Sequence, residues 1–145
     1  MTIYLDLDGT VADLYGVDGW RDDLEAKRTR PYDEAKPMHN MSTLARYLNR
    51  AQQNGVKIGI ISWLSKTSTE DYDKAVTKAK CKWLKKHLKS VSFDEIHIVP
   101  YGTPKSTVAE DCGDLFDDEK RNRSEWSKGN AYPPEKILEI LKEIS

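Results

Sequence analysis

At 145 residues the chain has the length of one domain, enough to bury about two-thirds of the surface its unfolded form exposes. A formal net charge of −1, with 38% hydrophobic and 32% charged residues, fits a soluble globular protein and gives no overall pull toward nucleic acid or membrane. No apolar stretch approaches the roughly 20 residues of a membrane span, and with the first apolar run beginning almost at Met1 no signal peptide is expected.

The first predicted element is a strand, Ile3-Tyr4-Leu5, that runs into Asp6-Leu7-Asp8 and then Gly9-Thr10. Residues two apart share a side of extended backbone, although here the second acid falls where strand gives way to loop. Carboxylates crowded at the end of a buried strand repel each other unless a cation sits between them. The pair is therefore read as half of a Mg²⁺ site with one Asp free to act as a nucleophile, against the alternative of two solvated loop acids.

The segment from 13 to 37 breaks the pattern, with Gly16, Gly19, Pro31 and Pro37, little apolar periodicity, and a cluster of Trp20, Arg21, Lys27, Arg28, Arg30 and Tyr32. A helix follows with Met41, Leu44, Ala45, Leu48 and Ala51 on one side, ending at Asn54-Gly55. Next comes the apolar run Val56–Ile61, closed by Ser62 and Trp63. A longer helix is predicted over 68–88, capped by Ser68 or Thr69, with Glu70 and Asp71 favourable in its first turn. Its lysines at 74, 78, 80, 82, 85, 86 and 89 are read as a solvated face opposite Trp83 rather than a nucleic-acid surface.

A third strand, Glu95–Val99, leads to Tyr101-Gly102-Thr103-Pro104-Lys105, and a fourth, Cys112–Phe116, ends in Asp117-Asp118. Short helices are predicted after Pro104 and over 119–126, a short strand at Ala131-Tyr132, and a closing helix from Pro134 with Ile137, Leu138, Leu141 and Ile144 buried. Runs that alternate in this way argue for parallel βαβ units. Cys81 and Cys112 lack metal-ligand spacing and are expected as buried thiols in a reducing cytoplasm. His39, His87 and His97 show no ligand spacing, and Trp83, Trp126 and Tyr132 are expected to pack rather than to bind bases.

With four motifs in order (Asp-x-Asp-Gly-Thr, a Ser closing a strand, a Lys, and an acidic pair closing another strand), the chain resembles the haloacid dehalogenase-like (HAD) superfamily of phosphotransferases over essentially its whole length. The resemblance implies an α/β fold, three-layer and Rossmann-like, with a central mostly parallel sheet in a single domain over residues 1–145. Insertions after the first motif form the superfamily's cap. Here the 13–37 insert is too short for a full cap, so one or two helical turns, a flap and a relatively open site are expected.

The same resemblance implies roles for the motif residues. Asp6 would attack phosphorus to form an aspartyl-phosphate, and Asp8 would protonate the leaving oxygen and then activate water. Mg²⁺ would be held by Asp6, the Asp8 carbonyl, Asp117 and Asp118, with Asp117 favoured as the direct ligand because it is nearer the strand end. Ser62 and Lys105 would bind the phosphate, and backbone amides from Leu7 to Gly9 would cradle it. Trp63, directly after Ser62, is a candidate wall for the substrate pocket.

The run Asp117-Asp118-Glu119-Lys120-Arg121-Asn122, and the helix ending Lys82-Trp83-Leu84-Lys85-Lys86-His87, are similar to the 5′(3′)-deoxyribonucleotidase and 5′-nucleotidase-like branch. Glu119 stands where that branch has Arg, and the insert is shorter. The expected partner is a small phosphate monoester, preferably a nucleoside monophosphate, in the cytoplasm and without a membrane. Two alternatives are a polynucleotide 3′-phosphatase, with the 20–32 cluster guiding a nucleic-acid end, and a non-catalytic nucleotide-binding or phosphoacceptor module. Receiver domains place their acidic pair first in the chain, the reverse of the order here.

Overall fold

A computed structural model describes Met1–Ser145. In chain order its elements are β1 (Thr2–Leu5), β2 (Ala12–Asp13), α1 (Trp20–Glu25), α2 (Arg30–Glu34), β3 (Lys36–Pro37), α3 (Met41–Gln53), β4 (Lys57–Trp63), α4 (Glu70–His87), β5 (Glu95–Val99), β6 (Gly113–Phe116), α5 (Lys120–Glu125), β7 (Ala131–Tyr132) and α6 (Ile137–Ile144). Five strands form one parallel sheet in the order β5-β4-β1-β6-β7, the α/β Rossmann-like arrangement expected from the alternating pattern. Because all five run the same way, the C-terminal ends of β1, β4 and β6 open onto one edge.

Strand alternation sorts the core into two faces. Ile3, Leu5, Ile58, Ile60 and Phe116 pack against Leu44 and Leu48 of α3, Trp83 and Leu84 of α4, and Ile137 and Leu141 of α6. Tyr4, Ile61 and Leu115 point the other way, onto Ala109 and Trp126. That second layer is thin, made of a single 3₁₀ turn at Lys105–Thr107, its flanking loops and α5. Each fully buried large aliphatic side chain contributes roughly 1.5–3 kcal/mol, so the α3–α4–α6 face carries most of the stability. Gly59 lies beside Tyr4, where a Cβ would come within 2.8 Å of the Tyr4 ring, so the strand pair closes only around a glycine.

The ends of the helices follow their local chemistry. The Asn40 side chain accepts from the Thr43 amide, and the Thr69 hydroxyl from the Tyr72 amide, so Thr69 rather than Ser68 caps α4. Acids at 70, 71 and 73 and bases at 85–87 suit the α4 dipole. No helix is long and apolar enough to cross a membrane.

The 13–37 insert holds more order than the expected one or two turns. β2 and β3 pair antiparallel at its root, and α1 and α2 fold above them. Buried Asp23 explains the gain, since it pairs with both Arg28 and Arg30 while Arg30 also reaches Glu34 and the Asp18 carbonyl. The cysteines differ from expectation in burial: Cys81 is half-buried and Cys112 exposed, both free and both outside the three core clusters.

Candidate active site

The end of β1 delivers Asp6 into a buried ring of charge. Lys105, from the 3₁₀ turn, donates to Asp6 Oδ1 at 2.8 Å and to Asp117 Oδ2 at 2.6 Å. The Thr10 hydroxyl donates to Asp6 Oδ2 at 2.9 Å and accepts from the Asp118 amide at 3.1 Å, pinning the Gly9-Thr10 turn to the end of β6. Asp117 is fully enclosed, its Oδ1 accepting from the Glu119 amide and its Oδ2 also from Asn122. Asp118 is less enclosed and lines the adjoining cavity with Asp6, Asp8 and Lys105.

Gly9 makes the approach of Asp118 possible. Its φ of 81° is left-handed, and a Cβ there would stand 2.4 Å from Asp118 Oδ2. The Gly9 amide itself donates to the Ala12 carbonyl, so it is not part of a phosphate cradle as expected. The amides of Leu7 and Asp8 donate to no protein acceptor, and they are the two that remain for such a role.

Carboxylate oxygens of Asp6, Asp117 and Asp118 all lie within 4.8 Å of one another, with Lys105 the one ammonium paired to the group. Burial pushes the Asp117 and Asp118 carboxyls up, and the nearby Asp6 charge adds to it. Hard oxygen donors with a surplus of negative charge match what a Mg²⁺ ion requires. Burial likewise raises Asp8, while the charge of Lys80 opposes the rise.

Lys80 is the largest departure from the sequence reading. It is not part of a solvated face but buried, with its ammonium 2.8 Å from Asp8 Oδ2 and 2.7 Å from Ser62 Oγ. The signal was present, because Tyr72, Val76, Lys80 and Leu84 form one i+4 row whose other members are core residues. Ser62 stands fully enclosed behind Asp8, while Ser65 and Thr67 beyond it line the cavity. His97, which shows no ligand spacing in the sequence, meets Glu95 and Glu110 in a second cluster, and the Tyr4 hydroxyl also donates to Glu95.

The cavity measures about 600 Å³. Tyr15, Trp20, Tyr32, Trp63 and Tyr101 line its sides, with Arg21 and Lys66 also among its walls. Trp63 does line it, held by a bond from its indole N–H to the Thr103 carbonyl and packed 5.0 Å from the Tyr101 ring. Arg28 and Arg30, expected in the same cluster, pair with Asp23 and do not line the cavity.

Fold and site together define an α/β domain with a lysine-bridged carboxylate cluster at the C-terminal edge of a parallel sheet, beneath an aromatic cavity. No family model and no curated protein matches the chain. Among solved structures it is similar to D,D-heptose 1,7-bisphosphate phosphatase from Burkholderia thailandensis, with a TM-score of 0.58 and 11% identity over 98% of this chain and 96% of that one. It is also similar to the corresponding phosphatase from B. bronchiseptica, complexed with magnesium and phosphate, with a TM-score of 0.53 and 15% identity over 96% and 86% of the two chains. At these identities the likeness is one of fold.

Proposed function

We propose that the chain is a Mg²⁺-dependent phosphatase of the HAD type that hydrolyses nucleoside monophosphates through an aspartyl-phosphate. The observation that carries the reading is the convergence of Asp6, Asp8, Lys105, Asp117 and Asp118 at one sheet edge under a cavity walled by five aromatic rings. Fold neighbours that are phosphatases, one of them with magnesium and phosphate, support it.

Asp6, the Asp8 carbonyl, Asp117 and Asp118 would hold Mg²⁺. When bound, the ion supplies positive charge that lets an anionic nucleophile approach an anionic ester. The Lys105 ammonium and the Leu7 and Asp8 amides face the phosphoryl oxygens, with Ser62 behind them. An Asp6 carboxylate oxygen attacks phosphorus, the bond to the ester oxygen breaks, and Asp8 gives that oxygen its proton. Asp8, now a carboxylate, takes a proton from water as the water oxygen attacks phosphorus. Phosphate leaves and the Asp6 carboxylate is restored.

The preference for a nucleotide rests on the rings. Trp63 with Tyr101 forms a tilted pair, and Trp20 with Tyr15 an edge-packed one, beside the charged floor, suited to a flat base and an ester end. Nucleic-acid end processing has weaker support, since Arg28 and Arg30 pair with Asp23 away from the cavity wall and Arg21 is the one arginine of that cluster lining it. The experiment is phosphate release with Mg²⁺ from deoxy- and ribonucleoside 5′- and 3′-monophosphates, a 3′-phosphorylated oligonucleotide and sugar phosphates, with Asp6→Asn as control. Preference for a mononucleotide supports the reading. Activity confined to the oligonucleotide or to a sugar phosphate overturns the substrate assignment.

A further inference from the structure

Lys80 is a buried ammonium that the reaction as written does not use. It comes from the third turn of α4, on the apolar side of the helix, and only 1% of the residue is accessible. A buried lysine is costly unless its charge is paired and its hydrogens are bonded. Here all three donors find oxygen: Asp8 Oδ2 at 2.8 Å, Ser62 Oγ at 2.7 Å and the Trp63 carbonyl at 2.5 Å. The Tyr32 ring of the insert closes over the same ammonium, 5.2 Å from its centroid.

Two of these partners, Ser62 and the Trp63 carbonyl, belong to the rigid C-terminal end of β4, inside the sheet. The third, Asp8, sits in the loop beyond β1. With its three hydrogens committed, the ammonium has none left for a substrate oxygen. Its effect falls on Asp8 instead: one carboxyl oxygen is tied to the sheet, while Oδ1 has no protein partner and belongs to a side chain lining the cavity.

We propose that Lys80 is a positioning residue that braces Asp8 against the end of β4, holding the proton donor in place for the leaving oxygen. The inference rests on the phosphatase reading above. It locates a requirement for the acid step in a helix remote in sequence from the four motifs, separate from the charge that Lys105 gives to Asp6.

The test compares 4-nitrophenyl phosphate, whose leaving group needs little proton donation, with phenyl phosphate, whose leaving group needs more. Both are measured with Mg²⁺ on the wild type, Lys80→Met, Asp8→Asn and the double variant. Lys80→Met is expected to lower kcat/KM, which reports formation of the aspartyl-phosphate and so isolates the leaving-group step, about 100-fold for phenyl phosphate and less than about 10-fold for 4-nitrophenyl phosphate. In the Asp8→Asn background the same substitution is expected to add under about 3-fold, because the brace has nothing left to hold. Equal losses of kcat/KM on the two esters, or additive losses in the cycle, overturn the proposal. Should Lys80→Met not fold, Lys80→Gln takes its place, and failure of both to fold overturns it in favour of a purely structural lysine. A wild type that releases phosphate from neither ester overturns the phosphatase reading and the role of Lys80 with it.

Discussion

Lys105 and Asp6 meet across 99 positions of sequence, Nζ to Oδ1 at 2.8 Å, both almost fully buried at the floor of the cavity they line. Burial alone would lower the lysine, yet the Asp6 and Asp117 charges more than offset it and hold the ammonium above its usual range. The two members of the pair respond differently to loss. Lys105→Met leaves crowded carboxylates without their cation and is expected to cost about 3 kcal/mol or more of stability, read from urea midpoints. Asp6→Asn keeps the shape and removes one charge from the cluster. It should fold normally while phosphate release falls by about 10³-fold or more. Undiminished turnover in Asp6→Asn rules out the covalent route.

Magnesium should act as a folding ligand. With the Asp117 and Asp118 carboxyls raised by burial and by Asp6, the metal-free fold loses stability as pH climbs from the ordinary carboxylate range through their raised values. Protons compete with the ion at the acid end. Mg²⁺ at about 100 times its Kd is therefore expected to stabilise by about 2.7 kcal/mol at pH 8 and distinctly less at pH 5. Thermal melts with Mg²⁺ and with a chelator at the two pH values measure this, and an identical shift at both contradicts it.

The second cluster carries a pH dependence of opposite sign. Burial would raise Glu95, but bonds from His97 and Tyr4 and the Glu110 amide outweigh it and hold the carboxyl below its usual range. A depressed acid contributes stability above its unfolded value and loses it as pH falls through the folded one. Glu95→Gln should thus cost about 1–3 kcal/mol at pH 7, and the gap from wild type should shrink below about pH 4. Urea midpoints at pH 7 and pH 3 give the comparison; a gap that is constant with pH assigns the loss to shape instead of charge.

Trp63→Ala and Trp20→Ala test what the rings recognise. If they stack on a base, KM for a nucleoside monophosphate rises about 10-fold with kcat little changed, while glycerol 1-phosphate is almost unaffected. Parallel losses on both esters would assign the rings to packing.

Gly9→Ala probes the turn between the two acidic strand ends. The new Cβ meets Asp118 Oδ2 at 2.4 Å on left-handed backbone, so a cost of about 1–3 kcal/mol is expected together with weakened Mg²⁺ binding, both measurable by melts and by metal titration.

Much of this site could be read from the sequence, because three of the four motifs sit where an apolar run stops, and the fourth, Lys105, follows a strand by one short loop. Asp6, Ser62 and Asp117 directly follow or end runs whose alternation fixes them at strand termini, and a parallel sheet gathers those termini on one edge. Lys80 escaped because its helix carries lysines on several sides, and the count of lysines concealed the i+4 row through Tyr72, Val76 and Leu84. The Glu95–His97 pair shares a strand face at i, i+2, but its third member, Glu110, arrives from a loop that periodicity does not locate. The order in the insert was hidden for another reason: it depends on the Asp23 ion pairs and not on an apolar stripe.

The insert is fastened at its neck. β2 pairs with β3, the Met38 amide donates to the Val11 carbonyl, the His39 ring bonds the Thr10 carbonyl, and the Tyr72 hydroxyl of α4 reaches the Arg28 carbonyl. A wall anchored on this many sides is expected to hold its place. If the proposed reaction runs here, substrate would enter and phosphate leave without a closing step ahead of chemistry. Solvent viscosity should then slow turnover only as far as diffusion itself is limiting.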